Sequence, residues 1–90
     1  MQLITFTDKG LYCPQGDFYI DPWKPVHRAI ITHAHSDHAR YGNGIYLAHS
    51  DSYYLLKARL GENIILQTAD YGQSLTINNV SITFYPAGHI

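Results

Sequence analysis

Apolar and polar positions along the chain alternate in short runs broken by turn residues. Residues 2–7 alternate weakly, with Leu3, Ile4 and Phe6 apolar, and Asp8-Lys9-Gly10 is a turn signal. Leu11 to Cys13 predicts a second short strand, stopped by Pro14, and Gln15-Gly16 the next turn. Asp17 to Asp21, carrying Phe18, Tyr19 and Ile20, predicts a third strand that ends at Pro22, because proline has no ladder donor. Three short antiparallel strands follow from this spacing. Trp23-Lys24-Pro25 reads as a connection, with Trp23 as a packing anchor. Val26 to Thr32 predicts the central strand. Its uninterrupted Ala29-Ile30-Ile31 run is the pattern of a strand covered on both faces.

The second half mixes helical and extended patterns. A short helix is expected from Ser36 or Asp37, both good N-cap residues, up to the breaker Tyr41-Gly42-Asn43-Gly44. Ile45 to Ala48 predicts a strand. Ser50 to Leu60 predicts a helix capped by Ser50 or Asp51, with Leu55, Leu56 and Leu60 as its apolar stripe and Gly61 at its C-terminal turn. Ile64 to Leu66 reads as a strand. Ser74 to Ile77 and Val80 to Tyr85 read as a hairpin turning on Asn78-Asn79. Strands alternating with helices indicate an α/β fold in which helices cover a mixed sheet.

Composition narrows the class. The chain has 90 residues, room for one small domain, residues 1–90, and is 46% apolar and 14% charged, a globular balance. Six Lys and Arg against seven Asp and Glu give a formal net charge of −1, so charge gives nucleic-acid binding no independent support. Lys24, Arg28 and Arg40 flank the central strand and the segment behind it; solvated strand-end charges account for them equally well. Cys13 is the single cysteine, which excludes an intrachain disulfide and suits a small packed residue. No secretory leader pattern is visible, and no apolar run approaches the ~20 residues of a membrane helix. The expected compartment is the cytoplasm, with no membrane partner.

The chemistry concentrates directly behind the central strand. His33, His35, Asp37 and His38 fall within six residues. Imidazole nitrogen is a good ligand for zinc and similar first-row metals, and carboxylate oxygen is acceptable. In extended chain, residues i and i+2 point to the same side, so His33 and His35 can face one point. On a first helical turn Asp37 and His38 stand about 100° apart and can reach a second point. Two-metal hydrolytic sites space their ions ~3.5–4 Å apart, so the pattern suggests one pair of ligands for each of two cations. His89 leaves a strand end as His33 does, and a third imidazole would complete a three-histidine set. Asp21 reads as a turn residue before proline. His27, at the start of the central strand, and His49, ahead of the predicted helix, are treated as structural residues.

His33-x-His35-x-Asp37-His38 behind a short apolar strand resembles the signature of the metallo-β-lactamase superfamily. The surrounding words Gly10-Leu-Tyr-Cys-Pro14, Gly16 to Trp23, Pro25-Val26, Thr32 to Arg40 and Pro86-Ala-Gly-His-Ile90 resemble bacterial ligase-associated DNA exonucleases, relatives of the β-CASP nucleases. The likeness runs over essentially all 90 residues, and the chain reads as the N-terminal portion of a longer αββα sandwich. It implies two divalent cations, zinc first and manganese second. His33, His35 and His89 would hold one; Asp37 and His38 would hold the other. Asp37 is also a candidate proton carrier to the leaving oxygen, and Asp21 the carboxylate beneath the metals that orients their ligands. The family takes a further aspartate and histidine from later positions, so the expectation for this chain alone is weak or no activity.

The implied function is hydrolysis of phosphodiester bonds by a DNA exonuclease, with DNA as partner and association with a DNA ligase. The same motif also serves β-CASP-type ribonucleases and thioester, lactone or lactam hydrolases. A metal-binding piece without turnover is the alternative of a different class.

Overall fold

The strand that carries Ala29, Ile30 and Ile31 is buried on both sides, and the rest of the fold is arranged to cover it. The computed structural model describes residues 3–32 and 42–85. Within them, β1 (Thr5–Thr7), β2 (Gly10–Cys13), β3 (Phe18–Ile20), β4 (Arg28–Ile31), β5 (Ile45–His49) and β6 (Leu66–Ala69) form one six-stranded sheet, in chain order. The first three strands pair antiparallel through tight turns, as the turn signals predict. From β3 onward every pairing is parallel: β3 with β4, β4 with β5, β5 with β6. A turn of 3-10 helix, Ser50–Ser52, and the helix α1 (Tyr53–Leu60) connect β5 to β6. A second sheet holds only β7 (Ser74–Ile77) and β8 (Val80–Thr83).

Alternation along β4 divides the core. Ala29 and Ile31 point to one side and pack with Val26, Tyr46, Ala48, Leu56 and Leu60, so α1 covers that face. Ile30 points to the other side and packs with Cys13, Phe18, Leu47 and Val80, so the β7–β8 hairpin covers the opposite face. A parallel strand covered on both sides has no solvent side to pattern, which is why its sequence is continuously apolar. The hairpin turn has Asn78 at φ 49° and Asn79 at φ 67°, the two left-handed residues of a primed turn. Asn78 Nδ2 donates to the Gly16 carbonyl at 2.9 Å and fastens the hairpin to the β2–β3 turn.

The approach to β4 is fixed by the loop before β5. Val26 N donates to Asn43 Oδ1 at 2.8 Å, and Gly44 N to Val26 O at 2.9 Å. A Cβ on Gly44 would lie 2.7 Å from the His27 carbonyl oxygen, so the close approach of these two backbones requires glycine.

Four expectations are corrected. Trp23 is not a packing anchor: it is 47% exposed, and its indole N–H donates to the Asp8 carbonyl at 2.9 Å, tying the connection to the β1–β2 turn. Leu55 is 44% exposed, because one helical turn separates the buried pair Leu56 and Leu60 and leaves Leu55 outside that row. The first turn after β5 is 3-10, and His49 caps it in place of Ser50 or Asp51: its Nδ1 accepts from Asp51 N at 3.1 Å. The sixth strand starts at Leu66, where the predicted one ended, since Ile65 faces solvent and pairing with β5 begins at Leu66. The helix expected near Ser36 lies outside the described residues. Among the described residues no helix is long and apolar enough to cross a membrane.

The depth of Leu56, with no exposed surface, predicts its energetic weight. Leu56→Ala should cost about 2–5 kcal/mol in denaturant unfolding, the range for a leucine lost from a packed core. Leu55→Ala, one position away, should change stability by only about 0.5 kcal/mol.

Candidate metal centre and its rim

Parallel strands deliver their carboxyl ends to one edge, and open α/β sheets place ligands outside that edge. Here β3, β4, β5 and β6 end side by side, and each carries a polar group out of the sheet: Asp21 after β3, Thr32 after β4, His49 and Ser50 at the end of β5, and Asp70 after β6.

Asp21 and Thr32 are joined. Asp21 N donates to the Ile30 carbonyl at 2.8 Å, which carries the β3–β4 pairing one residue past the strand. The Asp21 carboxylate then accepts twice from Thr32: Oδ1 from the backbone N–H at 2.8 Å, and Oδ2 from the side-chain hydroxyl through a short hydrogen bond. Asp21 stands at φ 46°, a left-handed conformation that a short polar side chain tolerates. The β4 ladder stops at Ile31, and a side chain takes over the next backbone donor. The clamp therefore grips the residue immediately before His33.

The predicted ligands His33, His35, Asp37, His38 and His89 lie outside the described residues, as does Arg40. The structure describes the chain up to Thr32 on the one side and up to Tyr85 on the other. Thr32, before His33, sits at the carboxyl end of β4. Phe84, ahead of His89, forms a parallel bridge with Tyr71, and its carbonyl accepts from Gly72 N at 3.0 Å. Tyr71 lies two residues past the carboxyl end of β6, so both leads arrive at the same rim. Among the described residues no three His, Cys, Asp or Glu side chains converge as a metal cluster.

The rim also holds groups that periodicity and spacing do not single out. Ser50 Oγ donates to Asp70 Oδ1 in a short hydrogen bond that ties β5 to β6. The His49 and Tyr71 rings stack with centroids 3.6 Å apart and planes 18° from parallel. In the linear sequence His49 stands apart from the ligand cluster, and nothing near Tyr71 marks it for a role.

The other end of the sheet carries a separate network. His27 Nε2 lies 3.0 Å from Asp17 Oδ2 and 3.1 Å from the Asp17 carbonyl oxygen, at the amino end of β4. Tyr12 Oη donates to Asp17 Oδ1 at 2.7 Å. That hydrogen bond, then burial and the carboxylate charge, push the Tyr12 phenol up to about 12. The same bond, aided by His27 and Arg28, holds the Asp17 carboxyl below its usual range. Arg28 also donates from Nη1 to the Gly16 carbonyl at 3.3 Å, so its charge is engaged at the end away from the rim. This network staples the β2–β3 turn to β4.

No protein-family model matches the chain, and no solved structure matches it. It does have a relative. A protein of Opitutus terrae described as a probable DNA ligase is 35% identical over 82 residues. The match takes in 90% of this chain and 8% of that protein, so the chain spans only a small part of its length.

The Asp17 network has a pH signature. Its carboxyl is depressed in the folded state, so its contribution is present above the ordinary carboxylate range and fades as pH falls through the folded value. Tyr12 behaves oppositely: its contribution is complete below the ordinary phenol value near 10 and is lost as pH rises through about 12. Spectrophotometric titration should find one phenol ionising near 12, and Asp17→Asn should return it toward the ordinary range.

Proposed function

We propose that this chain belongs to a metal-dependent hydrolase of the metallo-β-lactamase αββα type, a DNA exonuclease cutting phosphodiester bonds. The observation that carries this reading is the double grip of Asp21 on Thr32. It fixes the carboxyl end of a buried parallel strand one residue before His33-x-His35-x-Asp37-His38. A backbone held this firmly is what a ligand cluster needs, because ligands must be positioned before a cation arrives. The likeness to a segment of a probable DNA ligase favours DNA over a small ester, thioester or lactam substrate, and supports association with DNA-end joining. We place the protein in the cytoplasm, where such a partner works.

The donor set suits zinc, with manganese as second choice: imidazole nitrogens from His33, His35 and His89 for one ion, Asp37 and His38 for the other. Two such cations, when bound, lower the pKa of a coordinated water from about 15.7 toward ~7 and offset charge on the phosphate. Asp37 would carry a proton to the leaving oxygen on its carboxylate. Asp21 would act at one remove, by holding Thr32 and so the direction in which His33 leaves the strand.

Metal analysis and calorimetry on the purified protein test this directly. The expected result is bound zinc or manganese that chelators remove and that His33→Ala with His35→Ala abolishes. Asp21→Ala should lower metal affinity about 10–100-fold, the usual loss when a ligand-orienting group is removed. A protein that takes up no zinc or manganese, or whose uptake is unchanged by His33→Ala with His35→Ala, would overturn the assignment.

A further inference from the structure

The rim holds a flat aromatic surface that the proposed chemistry leaves unused. Tyr71 stands at the second position of a closed turn, Asp70 to Gln73. Gln73 N donates to the Asp70 carbonyl at 3.1 Å, and Asp70 N donates to Gln73 Oε1 at 3.0 Å. Gly72, at φ 76°, supplies the left-handed residue that the turn requires. The turn is tied on two further sides, to Phe84 through Gly72 N and to the end of β5 through Ser50 and Asp70. One ring face of Tyr71 lies on His49 at 3.6 Å. His49 is itself held, its side chain only 12% exposed and its Nδ1 accepting from Asp51 N. Tyr71 nevertheless remains 49% exposed.

A rigid aromatic ring backed by a second ring and open to solvent is the surface on which proteins stack bases of single strands. Its position is informative too. Tyr71 bridges to Phe84 on the lead toward His89, and rests on His49 at the end of the strand beside β4. It therefore stands where both leads to the predicted ligands reach the sheet edge.

We propose that Tyr71, laid on His49, is a stacking platform for a nucleobase of a single-stranded nucleic acid whose backbone enters the neighbouring centre. This rests on the reading of that centre as phosphodiester-cleaving, and the test is chosen so that the two fail separately. Stacking needs no cation, so binding is measured in the presence of chelator. A labelled short oligothymidylate is titrated by fluorescence anisotropy against an abasic strand of equal length, with the oligouridylate as the ribose arm.

The base-bearing strand should bind more tightly than the abasic one. Tyr71→Ala should weaken it by about tenfold or more, as removal of a stacking aromatic does. Tyr71→Phe and Tyr71→Trp should retain it, which separates loss of stacking from loss of fold or of the hydroxyl. In the unmodified protein the Tyr71 ring resonances should shift on titration. Equal binding of the two strands, no binding, or an undiminished Tyr71→Ala variant overturns the platform. Metal uptake is judged by the experiment above, so either proposal can fall while the other stands. Tighter binding of the ribose or deoxyribose strand identifies which polymer the platform serves.

Discussion

Burying a strand on both faces is the constraint from which the rest of this structure follows. Ala29 and Ile31 need one cover and Ile30 another, and the chain supplies α1 for the first and the β7–β8 hairpin for the second. Parallel neighbours on both sides satisfy the strand's backbone. The strand then has no freedom to slide, since a shift of one residue would exchange its two apolar faces. A strand locked in register gives the chain that follows it a fixed point of departure at Thr32.

Asp21 extends that rigidity past the point where the sheet stops pairing. Its carboxylate takes the Thr32 N–H and hydroxyl together, and its own N–H closes on Ile30. One side chain thus does what a further strand residue would otherwise do. A carboxylate can make these contacts without committing the strand to continue, so the chain is released into the motif at a defined place. The opposite end of β4 is handled differently, by Asn43 and by the close backbone approach at Gly44.

Much of this was legible in the residues because the determining interactions are local. The Asn78-Asn79 turn, the three leading strands and the apolar run of β4 depend on neighbours in sequence, and their patterns announce them. Asp21 could be singled out only through family resemblance, because its partner Thr32 is eleven positions away and no periodic pattern links them. Trp23 misled for a related reason: a large aromatic suggests a core, yet its indole donor is satisfied at the surface by the Asp8 carbonyl. The Ser50–Asp70 bond and the His49–Tyr71 stack were invisible, since both exist only once β5 and β6 lie side by side. Hydrophobic periodicity carries no information about which polar residues meet at the ends of parallel strands.

The order of the six strands bears on how the molecule comes into being. Each strand pairs with the one synthesised just before it, so the sheet can lengthen one edge at a time as the polypeptide emerges. Its two surfaces do not mature together. The side under α1 closes within sixty residues, whereas Ile30 and Leu47 wait for Val80, near the far end of the described chain. During that interval a greasy patch is bare on the nascent protein, the kind of surface to which chaperones bind.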